Sequence, residues 1–240
     1  MLFRSWQAAG HDNEHVRRLA SEGCRPQLPW GQALTGFKRD PAPVLVILER
    51  LKADPSLYVR KSVANNLNDI SKTHPGLVAD IAKKWYGNNR DTDWIVKHGC
   101  RTLLKKGNRD VLDIFVFADA GCVKAEGFAL ESASVCIGGN MTFSFSVEAH
   151  KAARIRLEYG IDYVKANGSR SRKIFQISEL SLKENERKAY TKKHSLADAS
   201  TRTHYPGTHS VTLIVNGAGR GTLDFEVTAG QRGQQQGKRA

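Results

Sequence analysis

Between Tyr58 and Pro75 the chain reads YVRKSVANNLNDISKTHP, and numbering it as a helix separates two kinds of residue. Val59, Val63, Leu67 and Ile70 fall on one side, which predicts an amphipathic helix with that side buried. Lys61, Asn65, Asn68 and Lys72 fall on the opposite side, at spacings of four, three and four. Asparagine and aspartate in a helix interior compete with the backbone for hydrogen bonds, so propensity did not place them there. Lys and Asn along one stripe suit phosphate oxygens and sugars, and a plain solvated face accounts for a single such stripe equally well.

The pattern recurs. EHVRRLASEG, LYVRKSVANNL and DWIVKHGCRTLLK align with Val16, Val59 and Ile95 in register, 43 and 36 residues apart. Arg18, Lys61 and Lys97 then share a basic position, Glu22, Asn65 and Arg101 a polar one, and His15, Tyr58 and Trp94 a ring. Periods near 40 predict a HEAT-like α-helical solenoid whose second helices line one concave wall. Asp12 or Asn13 is placed to cap the first of these helices and Gly23 to end it. Pro43 to Leu51 reads as an outer helix with Val44, Leu45, Leu48 and Leu51 inward, and Asp54 caps the helix after it. Pro75 opens the next outer helix through Val78, Ile81, Ala82 and Trp85, and Asp91 caps a helix that carries Trp94 and stops at Gly107. MLFRSWQAAGHD reads as the end of a preceding helix, and CRPQLPW as a rigid connector with Trp30 packed on the array.

Beyond about Leu112 the period falls from 3.6 to two. Phe143, Phe145 and Val147 alternate with Thr142, Ser144 and Ser146, and Ile155, Leu157, Tyr159 and Ile161 alternate in the same way. So do Val211, Leu213 and Val215, then Leu223, Phe225 and Val227, with turn signals at Gly138, Asn167 and Asn216. Roughly seven strands in about a hundred residues predict an immunoglobulin-like β-sandwich. The domains expected are 1–115 helical repeats, 126–228 sandwich and 229–240 a disordered basic tail.

Composition sharpens the helical half. The chain of 240 residues has net charge +13 and pI about 9.7, which points to a polyanionic partner. Residues 1–110 alone hold 19 Lys/Arg against 11 Asp/Glu, a balance of +8. Cys24, Cys100, Cys122 and Cys136 lie far apart without metal-ligand spacing and read as reduced, buried thiols of a cytoplasmic protein. No apolar run reaches membrane-spanning length, so no membrane partner is expected.

Two motifs are set aside on their surroundings. His11, Glu14 and His15 spell H-x-x-E-H, but His11 precedes the helix cap, so the pair does not share a helix and no metal is expected. The glycines from Gly217 to Gly221 join two alternating strands, which is a hairpin and not a phosphate loop. The acids on or beside the repeat stripe are more informative. Glu22 lies on it, with Glu14 and Asp69 about 50° and 70° to its sides. Among cations, such acids are either salt-bridge partners or catalytic carboxylates.

EHVRRLASEGCRPQLPW, YVRKSVANNLNDISKTHP and DTDWIVKHGCRTLLKKG, followed by an immunoglobulin-like end, closely resemble the bacterial HEAT-like-repeat alkylbase DNA glycosylases of the AlkC type. The resemblance runs over about residues 6–228. It implies a cofactor-free, monomeric, nucleoid-associated enzyme that removes cationic N3-alkylated adenine or cytosine from double-stranded DNA without base flipping. One of Asp69, Glu14 and Glu22 would be the carboxylate stabilising the oxocarbenium-like sugar. Arg17, Arg18, Arg25, Tyr58, Arg60, Lys61, Asn65, Asn68, Lys72, Trp94, Lys97 and Arg101 would contact the DNA. Family members carry further repeats ahead of the point matching Met1, and Gln27 stands where the family string has a second arginine. A non-catalytic DNA-binding remnant and a HEAT-type protein scaffold are the alternative readings.

Overall fold

The computed structural model describes residues 2–198 and 203–229, as a helical unit through Phe115 and a β unit from Val116. Residues 230–240 of the predicted tail lie outside the described residues. No helix among the described residues is long and apolar enough to cross a membrane.

The helical unit contains α1 (Leu2–Ala8), α2 (Glu14–Glu22), α3 (Thr35–Arg39), α4 (Ala42–Leu51), α5 (Leu57–Ile70), α6 (Pro75–Trp85), α7 (Arg90–Gly99), α8 (Arg101–Lys105) and α9 (Arg109–Ile114). The helix read from YVRKSVANNLNDI is α5, and all four of its predicted apolar residues are buried. Asn13 caps α2 by accepting from His15 N at 2.8 Å, and Pro75 sits at the start of α6. On α4 the buried set is Val44, Ile47, Leu48 and Leu51, a strict i, i+3, i+4, i+7 stripe, so Ile47 takes the place expected for Leu45.

Three boundaries differ from expectation. Asn89, not Asp91, caps α7, its Oδ1 accepting from Asp91 N and Thr92 N. Asp54 accepts from Ser56 N at 2.8 Å ahead of α5 and leaves the cap position itself to Ser56. The third inner helix breaks at Cys100 and restarts as α8. Gly99 explains how closely it approaches its neighbour, because a Cβ there would meet Leu67 Cβ at 3.0 Å and Ala64 O at 3.4 Å. Only glycine lets the two backbones come that near.

The β unit holds β1 (Val123–Leu130), β2 (Ser134–Cys136), β3 (Asn140–Ala149), β4 (Ala153–Val164), β5 (Arg170–Leu182), β6 (Arg187–Ser195), β7 (Gly207–Val215) and β8 (Ala218–Thr228). One sheet has the order β1-β3-β6 and the other β2-β8-β7-β4-β5, with β2 parallel to β8. Met141, Phe143, Phe145 and Val147 of β3 share a core with Ile155, Leu157, Tyr159 and Ile161 of β4, as the alternation predicts. Phe143 meets Tyr159 edge-on at 5.2 Å. The Gly217 segment is a hairpin whose tip, Asn216 (φ 47°) and Gly217 (φ 77°), adopts the left-handed conformation that a two-residue β-turn requires. Cys24 and Cys100 are buried, and burial pushes their thiols up to about 11 and about 12. Cys136 is exposed and Cys122 half-buried, against the expectation of four buried thiols.

Candidate nucleic-acid interface

Helices α2, α5 and α7 pack side by side, and their equivalent residues meet in the order the repeat alignment gives. The rings of His15 and Tyr58 touch edge-on at 5.4 Å. Arg101 Nη2 donates to Asn65 Oδ1 at 3.1 Å. Arg18 lies over the Tyr58 ring, 4.1 Å from its centre, and donates to Tyr58 O at 2.6 Å.

Arg25, the first residue of the connector to lie between α2 and α5, organises the charges. Its Nε and Nη2 both reach Asp69 Oδ2 at 2.8 Å, and its Nη1 donates to Glu22 Oε1 at 2.5 Å. Asp69 also accepts from Lys72 Nζ at 2.9 Å, and Glu22 accepts from Ser62 Oγ at 2.6 Å with Arg18 Nη2 at 3.4 Å. The result is an alternating chain, Arg18–Glu22–Arg25–Asp69–Lys72, that crosses from one inner helix to the next. Only 3% of the Asp69 side chain is exposed, against 25% for Glu22. Burial pushes the Glu22 carboxyl up, but hydrogen bonds from Ser62 and Arg25 and the charges of Arg25 and Arg18 outweigh it, so its pKa lies below the usual range. Burial lowers Arg25, and Glu22 and Asp69 more than restore it. Both shifts favour the charged forms of Glu22 and Arg25.

A second patch lies further along the wall. The Trp94 ring stacks on His98 at 5.0 Å and 7°, and burial together with the charges of Arg101 and Lys61 holds the His98 pKa below its usual value. Burial also lowers Arg101, with Asp69 opposing the shift and Arg25 adding to it, which puts Arg101 in electrostatic reach of the charge chain. Lys61 and Lys72 are exposed, and Asn65 and Lys97 half-buried.

Other residues of the predicted set are engaged within the array. Asn68 is buried, and its Oδ1 accepts from Thr102 Oγ1 (2.8 Å) and Thr102 N (3.3 Å), holding the first turn of α8. Arg17 pairs with Asp54 at 2.6 Å, and Arg60 pairs with Asp91 at 3.1 Å while donating to the carbonyls of Asp54 and Pro55. The Glu14 carboxylate accepts from Ser56 Oγ at the start of α2, away from the Arg25 chain. His11 lies outside α2, its Nδ1 accepting from Asn13 N at 3.0 Å. Sequence reasoning missed Ser62 and His98, which differ in type from Leu19 at the aligned position and so carry no repeat signature. Trp30 is fully exposed, not packed on the array as expected.

Fold and site define a class: a helical array with an acid–base chain along its inner helices, followed by an immunoglobulin-like domain. Comparison narrows that class. The family described as the C-terminal Ig-like domain of the uncharacterised protein YhaZ matches residues 124–229. YhaZ of Bacillus subtilis (strain 168) is 50% identical over 217 residues, 90% of this chain and 61% of YhaZ. The alkylpurine DNA glycosylase AlkC of Pseudomonas fluorescens, solved bound to DNA containing an abasic site analog, superimposes with a TM-score of 0.91 at 40% identity. That match covers 95% of this chain and 64% of AlkC, so the chain spans about three-fifths of the length of both relatives. The similarity to AlkC extends over residues of both units.

Proposed function

We propose that this protein is a DNA glycosylase that excises cationic N3-alkylated bases, 3-methyladenine and 3-methylcytosine, from duplex DNA. The observation that carries this reading is the carboxylate pair Glu22 and Asp69, joined by Arg25 on the wall of a basic array that is similar to AlkC. Alkylation at N3 makes the base a cation, so breaking the glycosidic bond releases a neutral base and leaves the positive charge on the sugar. A fixed carboxylate facing that sugar stabilises the charge as it develops, and donors already in place cost no reorganisation. Water then adds to the sugar carbon and gives up its proton. No enclosed pocket is needed, because the damaged base is not the group being recognised by shape.

Within that mechanism Glu22 offers the more accessible oxygens. Asp69, held by Arg25 and Lys72, adds negative potential behind it, and Arg25 fixes both. Lys61, Lys97 and Arg101 hold phosphates, and Tyr58 and Trp94 face the bases. The fully exposed Trp30 adds a third ring. Glu14 is assigned to holding α2 against the start of α5. The protein acts as a monomer.

Duplex binding measured against salt tests the DNA half of this reading. With several phosphates held, affinity falls by about one decade or more between roughly 50 and 200 mM salt, and Lys61→Ala flattens the slope. Binding that ignores salt, or none at all, favours the protein-scaffold reading.

A further inference from the structure

The N-terminal turns of α5 and α7 enclose an open cleft of about 720 Å³, within the range of small-molecule sites. None of its lining residues belongs to the Arg25 charge chain. Two rings line it, Trp94 and the half-buried Tyr86. Trp94 is clamped on one side by His98, and Tyr86 is fixed edge-on against Phe115 at 5.0 Å, so both are positioned before any ligand arrives. Arg90, Trp94 and Lys97 follow at i, i+4 and i+7, which puts a ring between two cations on one helix face.

Several polar groups of the cleft are already engaged within the array. Asp91 pairs with Arg60, Asp93 accepts from Gly87 N at 2.7 Å, and Asn89 caps the helix. Arg90 is exposed and makes no ion pair or hydrogen bond among the described residues. A rigid ring flanked by cations matches a planar aromatic group carrying one phosphate.

We propose that this cleft is a nucleotide site, in which a base lies against Trp94 and its phosphate is held by Arg90 and Lys97. The proposal rests on the DNA-binding reading, which already gives Trp94 and Lys97 to the nucleic acid, and adds Arg90 and an unpaired nucleotide distinct from the damaged base.

The test measures binding of the full chain to a paired duplex, to the same duplex with a one-nucleotide bulge, and to dAMP. The bulged duplex is expected to bind about tenfold tighter than the paired one, as one stacked base supplies. Arg90→Ala and Trp94→Leu, each checked for unchanged circular dichroism, should bring that ratio close to one. Arg90→Ala should leave paired-duplex affinity as it was. Saturable dAMP binding lost in Arg90→Ala, without a bulge preference, would keep the site and make a free nucleotide its ligand. A ratio of one without dAMP binding overturns the proposal, even where the paired duplex binds and the DNA reading stands. So does a bulge preference that survives both substitutions.

Discussion

In the helical unit Ser21, Ser62, Asn66 and Asn68 are buried between helices, whereas the sandwich core is formed by Phe143, Phe145, Leu157, Leu213 and their neighbours. Asn66 Nδ2 donates to Ser21 O at 3.0 Å, and Ser62 Oγ lies 3.1 Å from Ser21 Oγ, so hydrogen bonds join α2 to α5. The sheets meet mainly through apolar and aromatic faces, and His194 of β6 adds hydrogen bonds to the Tyr159 and Tyr163 hydroxyls of β4. Apolar burial is tolerant of direction, while a buried polar joint must be satisfied atom by atom. The wall of the helical unit is thus set to a fixed geometry by the contacts that hold it together, which is what an electrostatic site requires.

The comparison can be broken most severely by cutting the sandwich at the wrong place. Its apolar core should let it fold alone, but only with β1 complete and with Ala118, whose N–H donates to Arg154 O and whose carbonyl accepts from Asn216 Nδ2. A fragment of residues 116–229 should give a dispersed amide NMR spectrum, and one of residues 126–228, which lacks the first part of β1, should not. Dispersion in the shorter fragment would show that these contacts are dispensable.

Arg25→Met comes next. It leaves the buried Asp69 and the half-buried Glu22 without the guanidinium between them, and losing one partner of a buried ion pair such as Arg25–Asp69 costs about 3–5 kcal/mol. Denaturant unfolding followed by helical circular dichroism should register that loss. Arg187→Ala, on the exposed face of β6, should change little, since surface pairs contribute about 0–1 kcal/mol. Equal effects would mean that Arg25 is not the keystone of the wall.

The smallest effect is with pH. His209 is fully buried, and burial holds its pKa below the usual value although the Tyr205 carbonyl accepts from its Nε2 at 2.9 Å. The unfolded chain therefore takes up the proton first as pH falls through about 6.5, and stability declines from there towards the lower folded value. His209→Gln should flatten that decline in thermal melts between about pH 7 and 5. An unchanged slope would shift the effect to His98, which is held low in the helical unit.

The strands were the readable part of the sequence, because a period of two marks their core-facing residues even in β4 and β7, which are buried at most positions. The inner helices were only half readable. A helical wheel distinguishes polar from apolar, but an inner helix of a stacked array has three surroundings: core, joint and wall. Val59, Val63, Leu67 and Ile70 went to the core as expected. Asn68 on the stripe and Asp69 beside it were drawn into the joints, Asn68 with Thr102 and Asp69 with Arg25. Arg25, three positions past the end of α2, could not be placed from helical spacing, because it lies in the connector and reaches Asp69 of α5. The break at Cys100 was not expected either, and it follows Gly99, where a Cβ would meet Leu67 Cβ at 3.0 Å.

The account stands or falls on single-turnover release of 3-methylcytosine from duplex DNA by the full chain and by Glu22→Gln and Asp69→Asn. Both substitutions keep shape and remove charge. The unmutated chain should release the base, and each variant should do so about a hundredfold more slowly, the scale of losing one electrostatic stabiliser, with duplex affinity nearly unchanged. Release at undiminished rate in both variants would contradict the claim that this pair stabilises the sugar cation, and no release by the unmutated chain would leave a DNA-binding remnant in its place.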